Sequence, residues 1–391
     1  MSPAERPTPP EASPPLPERR AIPGARLQPL GFETLPGWGA DDLLAAFRVF
    51  RAGAAHLLER GAELRPAGAP NAPLLATCRA ALATEPRSTQ EARAFFEASF
   101  APAEILPLTE MPFFTGYFEP LAEGSIERSP GFEAPILARP ADLVTLPQGD
   151  TLPDAEVPLT SARRVADSLL PYPDRAAIED GALAGQGLEL VWLKDRVEVF
   201  IIQVQGSARV SLTDGRTVRL RYAGRNGWPY TSIGRLLIEQ GAIAAGEMSL
   251  EALTSWLRDH PGEAQAVMRR NRSYVFFAID EALGSEDGPI GGAGLPLTPG
   301  RSMAIDRGIW SYGLPFFIDL EKPLPNGGPD GRFGRWQRLM IAQDTGSAIV
   351  GPGRVDLFFG SGPAAGMLAG RQRHHGRLFV LQPRGSVSSP P

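Results

Sequence analysis

The sequence predicts a mainly β protein, a barrel or sandwich, with helices at its periphery. Short apolar runs broken by Gly and Pro recur at 274–279, 302–306, 315–320, 338–343, 355–359 and 378–381, a spacing that suits all-β sheets and not alternating strand–helix units. Residues 198–205 set Glu198, Phe200, Ile202 and Val204 against Val199, Ile201, Gln203 and Gln205. Apolar on both faces, this segment is expected to be a central strand. Helical periodicity is confined to two blocks.

Along the chain, residues 1–30 carry Pro7, Pro9, Pro10, Pro14, Pro15, Pro17 and Pro23, a composition that offsets little ordering entropy and reads as a flexible tether. The first helical block follows. Leu43, Phe47, Phe50 and Leu57 recur at helical spacing after Asp41 and Asp42, and Ser88 with Glu91 forms a capping box before residues 92–100. From Phe113 the pattern is mostly extended. A second helical block covers 232–240 and 250–258, and Pro261 suits the first position of a helix ending near Arg269. Residues 382–391, rich in Ser, Pro and Gly, read as a tail. No internal repeat is evident.

Composition bounds the partners. With 39 basic and 44 acidic residues the net charge is -5, and without a long run of one sign neither nucleic acid nor an anionic membrane surface is an expected partner. The longest apolar stretches, 197–204 and 274–279, fall far short of the roughly 18 residues that span a bilayer. Met1 to Glu5 lack the basic and apolar segments of a signal peptide. A single cysteine, Cys78, excludes an internal disulfide, and four histidines without zinc spacing predict no metal or other cofactor. Cys78 lies in a helical pattern and reads as a small core residue. Adjacent His374 and His375 point to opposite faces of an extended chain, so a turn before the last strand is expected there.

Three carboxylates lie in or just after C-terminal strands: Asp306, Asp344 and Asp356. Asp often bonds its own backbone in turns, and Asp344 before Thr345-Gly346 and Asp306 before Arg307-Gly308 read as scaffold. Asp356 differs. The pleat sets it with Arg354 and Phe358 on one face, with Val355, Leu357 and Phe359 on the other. Apolar neighbours favour its acid form, as a general acid requires, provided that Arg354 points elsewhere.

The strings around Asp306, Leu339–Ile349 and Val355–Gly366 closely resemble the 3D domain, named for its three aspartates. Upstream, Thr115-Gly-Tyr-Phe-Glu119-Pro, Phe200-Ile-Ile-Gln203-Val-Gln205-Gly206-Ser207 and Tyr222-Ala-Gly-Arg-Asn226-Gly-Trp-Pro-Tyr230 resemble the body of the MltA family of lytic murein transglycosylases. The resemblance spans most of residues 110–381. It implies a double-psi β-barrel domain built from residues 31–137 and 271–381, an inserted β domain at 138–270, and a glycan strand in the groove between them. It also implies that Asp356 is the catalytic acid and base, with Asp306 and Asp344 supporting. One carboxyl would protonate the bond between N-acetylmuramic acid and N-acetylglucosamine and then assist attack by the muramoyl C6 hydroxyl, leaving a 1,6-anhydro end. Candidate substrate contacts are Thr115, Tyr117, Gln203, Gln205, Ser207, Asn226 and Tyr230. The two glutamines, at i and i+2, would share a strand face; Tyr117 and Tyr230 read equally as core residues or sugar platforms.

Glu119 before Pro120 reads as a solvated loop residue, with a second acid as the alternative. A non-cleaving glycan-binding module and a hydrolase leaving reducing ends are the competing functions. The family's lipid-anchoring cysteine has no counterpart near the start. The resemblance places the protein in the periplasm or at the periplasmic face of the outer membrane, as a monomer, with peptidoglycan as substrate and cell-wall synthesis proteins as candidate partners.

Overall fold

The computed structural model describes residues 20–59, 61–147, 149–280, 284, 287–325 and 333–385. Ten strands form one hydrogen-bonded ladder, in the order Arg20–Ile22, Ala25–Pro29, Phe100–Pro107, Arg377–Pro383, Pro315–Pro323, Phe333–Asp344, Ser302–Ala304, Arg354–Ser361, Phe113–Glu119, Arg373–His375. The last six curl back on themselves. The Gln372 amide donates to the Glu321 carbonyl at 3.3 Å, and the Phe333 and His374 rings meet edge to face at 4.5 Å. These contacts, and no backbone pairing among the described residues, close the turn.

Alternation of apolar residues explains the layering. Phe316, Ile318, Leu320, Met340, Ala342, Leu378 and Val380 point into the core enclosed by the strands. Their neighbours Phe317, Leu339, Ile341, Phe379 and Leu381 point outward, under the helices Leu43–Leu58, Ala72–Leu82 and Thr89–Ser99. The expected N-terminal caps form: Asp42 accepts from Ala45 N at 3.1 Å and Ser88 from Glu91 N at 3.1 Å. Cys78 is fully buried in this helical layer.

A second sheet has the order Val275–Asp280, Thr217–Arg225, Ser207–Leu212, Leu121–Ser125, Glu189–Leu193, Ala134–Leu137. A bridge between Ala138 and Phe277 brings its first and last strands together. The architecture is mainly β with peripheral helices and two β units, as expected, but the second unit is larger than residues 138–270. It takes Leu121–Ser125 and Ala134–Leu137 before that range and Val275–Asp280 after it. The chain passes from the first unit into the second at Pro120 with no change in composition to mark the crossing.

Residues 198–205 are a helix, Arg196–Gln205, and not the expected strand. Asp195 accepts from Glu198 N at 2.7 Å, and Gly206 ends the helix in the left-handed region at φ 84. Val199 and Ile202 pack on the second sheet while Val197, Phe200 and Ile201 pack on the helices Ile233–Glu239, Leu250–Asp259 and Pro261–Arg269. Burial on almost every side is what imitates a two-faced strand.

Residues 20–29 form a hairpin whose Ala25 and Leu27 are buried, so the tether expected over 1–30 stops short of them; residues 1–19 lie outside the described residues. Gln382 and Pro383 of the expected tail end a strand, and 386–391 lie outside the described residues. His374 and His375 sit in a short strand paired with Phe114 and Phe113, where a turn was expected.

Glu119 is the tie between the units. It is fully buried at the end of its strand, ion-paired to Arg209 at 2.7 Å and Arg219 at 2.9 Å from the second sheet. It also accepts from the Ser361 hydroxyl at 2.6 Å. The solvated-loop reading is therefore overturned, and three partners leave it no position as an acid. Glu119→Gln removes the negative charge that faces two guanidinium groups, and losing one partner of a buried pair costs about 3 kcal/mol or more. Urea unfolding should show that loss, with no measurable change for Glu123→Gln in the exposed Lys194 pair. Equal midpoints for both variants would refute the role.

Candidate active site

A cleft of about 250 Å³ opens between the two β units. From the first unit Tyr117, Ala304, Asp344 and Asp356 line it; from the second come Gln203, Gln205, Ser207, Tyr222 and Arg225. Two pairings place the carboxyl. Asp356 stands opposite Thr115 on the parallel strand Phe113–Glu119 and opposite Ala304 on the antiparallel side. The register delivers the Thr115 hydroxyl to Asp356 Oδ1 at 2.6 Å.

Burial pushes the Asp356 carboxyl up to about 6, and the charge of Asp344 adds to that rise. The Arg354 charge and the Thr115 hydrogen bond pull the other way. Arg354 points elsewhere, as the acid reading requires: its Nη1 donates to the Val355 carbonyl at 2.6 Å, and the guanidinium lies 5.3 Å from the Phe113 ring. A carboxyl so balanced keeps its proton up to about pH 6, above the ordinary carboxyl range, and is not locked in an ion pair.

The remaining predicted residues divide. Tyr117 is 8% exposed and packs on Phe358; its hydroxyl faces Asp344 without a well-formed hydrogen bond, and burial with the two carboxylate charges raises its pKa well above 10. Asp344 Oδ1 accepts from Gly292 N at 2.7 Å and Thr345 N at 2.8 Å, holding a wall of the cleft. Asp306 does not line the cleft: it accepts from Gly308 N at 2.8 Å and Gly351 N at 2.6 Å, fixing the loop that leads to Asp356.

Gln203 and Gln205 both reach the cleft, but from a helix, so they do not share a strand face. Gln205 Oε1 accepts from Phe118 N at 3.0 Å and thereby ties the helix to the strand Phe113–Glu119. Ser207 lies in the cleft wall. Asn226 does not: fully buried, its amide donates to Pro173 O and Arg272 O and accepts from Tyr274 N. Tyr230 also lies outside the lining, where burial and then the Asp356 charge raise its pKa.

Sequence reasoning missed Arg65, Tyr222, Arg225, Arg307 and Ser161, all of which line the cleft. Arg65 comes from the loop between two N-terminal helices; its guanidinium stacks 3.8 Å over Tyr222 and donates to the Thr345 carbonyl. No local pattern announces a contact across 280 positions. The helix Gly362–Arg371 was also missed, because its Gly and Ala residues give no amphipathic stripe. The close packing needs small residues on both sides: a Cβ on Gly366 would stand 2.8 Å from the Phe118 ring, and one on Gly116 of the facing strand 2.8 Å from Ala369 Cα.

Residues 113–278 match the family model described as MltA specific insert domain, and residues 301–382 match the 3D domain. The membrane-bound lytic murein transglycosylase A of Vibrio cholerae is 36% identical over 249 residues, 60% of this chain. That match spans 66% of the length of the Vibrio protein, just under two thirds. The crystal structure of a membrane-bound lytic murein transglycosylase from Agrobacterium tumefaciens is similar at TM-score 0.81 and 36% identity, covering 92% of this chain and 98% of that one. MltA from Neisseria gonorrhoeae gives TM-score 0.75 and 30% identity, covering 95% and 96%.

The position of Asp356 has a thermodynamic consequence. The folded protein holds its proton up to about pH 6, whereas an unfolded chain releases it near 3.8, so the ionised form costs stability that the acid form does not. Asp356→Asn cannot ionise. It should melt above wild type at pH values higher than 6, with the difference shrinking as pH falls and gone below 3.8. Calorimetric melting across that range checks this; a difference independent of pH would refute it.

Proposed function

This chain belongs to the MltA family of lytic murein transglycosylases, and from that premise we propose that it cleaves peptidoglycan glycan strands with Asp356 as its single acid and base. The observation that carries the proposal is one carboxyl at the cleft floor, raised to about 6 by burial and hydrogen-bonded to Thr115. Near that pH the group exists in both forms, and the reaction uses both.

Asp356 protonates the oxygen between N-acetylmuramic acid and N-acetylglucosamine, and the glycosidic bond breaks toward an oxocarbenium-like centre at C1. Proton transfer leaves a carboxylate, the form that the Thr115 hydroxyl and the nearby Arg354 charge favour. That carboxylate takes the proton of the muramoyl C6 hydroxyl as the oxygen bonds to C1. The product is a 1,6-anhydromuramoyl end, and no water is consumed. Because the nucleophile belongs to the substrate, holding the sugar in place contributes several kcal/mol. Tyr117, Gln203, Gln205 and Ser207, which line the cleft, are the residues that would hold it.

A hydrolase would need a second carboxylate aimed at a water on the far side of the ring. Asp344 spends Oδ1 on two backbone N–H groups and Glu119 is buried outside the cleft. Neither supports that alternative. Family membership supports a place in the cell envelope, in the periplasm or on the periplasmic face of the outer membrane. Among the described residues no helix is long and apolar enough to cross a membrane.

Mass spectrometry of purified peptidoglycan digested by wild type should show anhydromuramoyl products, and Asp356→Asn should reduce their rate by about a hundredfold to ten-thousandfold. Reducing ends would establish a hydrolase; intact glycan with binding retained would establish a non-cleaving module. Thr115→Val removes a donor that favours the carboxylate. The alkaline limb of its pH–rate profile, set near 6 in wild type, should move to higher pH. An unmoved or lowered limb would show that Thr115 does not tune the acid.

A further inference from the structure

Three arginines from separate parts of the chain converge on one wall of the cleft: Arg65, Arg225 and Arg307. Arg225 ends the strand Thr217–Arg225, and its Nη2 donates to the Thr160 hydroxyl at 2.8 Å. Arg307 Nη1 donates to the Pro66 carbonyl at 2.6 Å, beside the Arg65 that stacks on Tyr222. Arg65 and Arg225 are thus each fixed by neutral partners, and donors remain beyond those bonds.

Charge makes the arrangement unusual. Among the described residues neither Arg65 nor Arg225 forms an ion pair with a carboxylate of the protein within 4.0 Å. Asp344 bonds backbone N–H groups, and Asp150 lies exposed in the lining. Burial first, then the like charges of Arg65 and Arg307, disfavour the charged form of Arg225, with Tyr222 opposing them. Converging cations cost stability that a bound anion offsets. The protein as a whole is acidic, at -5, so a basic wall here does not follow from a generally basic surface.

We propose that Arg65 and Arg225, with Arg307 beside them, form a carboxylate subsite for the substituent on O3 of N-acetylmuramic acid. The inference rests on the reading of peptidoglycan as substrate. A glycan strand is neutral except at that substituent, whose carboxylate belongs either to the lactyl group itself or to the peptide stem joined to it. A planar guanidinium pairs with a carboxylate in two parallel hydrogen bonds. The wall lies beside the reacting bond, since Arg65 acts electrostatically on the same Tyr117 hydroxyl that Asp344 and Asp356 face. Engaging every second sugar there sets the register that brings the muramoyl–glucosaminyl linkage, and not its neighbour, to Asp356.

The test is calorimetric binding in an Asp356→Asn background, comparing Arg225→Gln and Arg225→Lys with three probes. These are chitohexaose, a peptide-free oligosaccharide of alternating N-acetylglucosamine and N-acetylmuramic acid, and the same oligosaccharide carrying peptide stems. Arg225→Gln should weaken the muramoyl glycans about tenfold and leave chitohexaose within about twofold, with Arg225→Lys recovering most of the loss. A loss with the peptide-free glycan identifies the lactyl carboxylate as the ligand; a loss confined to stem-bearing glycan identifies the stem. Equal loss on all three probes, or no loss on any, overturns the subsite. Binding to none of the probes before Arg225 is changed overturns the peptidoglycan reading, and this one with it.

Discussion

The parallel pairing of Phe113–Glu119 with Arg354–Ser361 sets two contacts at once: Thr115 opposite Asp356, and Glu119 within reach of Ser361. A slip of one residue would turn every side chain of either strand to the other face and separate both pairs. The rest of the structure supports this register. Helix Gly362–Arg371 lies on the strand through Phe118, Ala365 and Ala369, and Gln205 bonds its backbone from the second unit. The last residue of the strand then anchors the second sheet through Arg209 and Arg219. The placement of Asp356 in the cleft therefore depends on that ladder.

Asp356 owes its proton affinity to opposed influences, of which burial is the largest. Burial alone would make it a strong holder of its proton and a poor base. A direct ion pair with Arg354 would make it a fixed anion. The protein does neither: Arg354 spends a donor on the next carbonyl and acts only through its field, while Thr115 supplies one neutral hydrogen bond. The carboxyl that results can give up a proton and later regain one. That is the requirement of a reaction in which one residue serves both steps.

The two other aspartates show how a shared residue type serves different ends. Asp344 and Asp306 each accept from two backbone N–H groups, the ordinary use of Asp in a loop. One shapes the cleft wall and the other holds the approach to Asp356. Asp306 and Asp344 differ from Asp356 not in residue type but in what fills the oxygen lone pairs.

Much of this was legible locally. The C-terminal strands, the capped helices and the face on which Asp356 lies follow from period and cap chemistry, because those signals act between residues a few positions apart. Other features had no local signal. Arg196–Gln205 imitates a strand because it is buried on both sides, a property of what packs against it and not of its own period. Asn226 resembled a ligand contact until Pro173, Arg272 and Tyr274 took up its amide. Arg65 entered the cleft only when a loop near the start met Thr345 and Tyr222. The sequence by itself determined the secondary elements that short-range patterning specifies and the residue suited to be an acid. Tertiary structure alone decided that acid's proton affinity and the identity of its neighbours, because desolvation and charge act through space between residues that the chain keeps far apart.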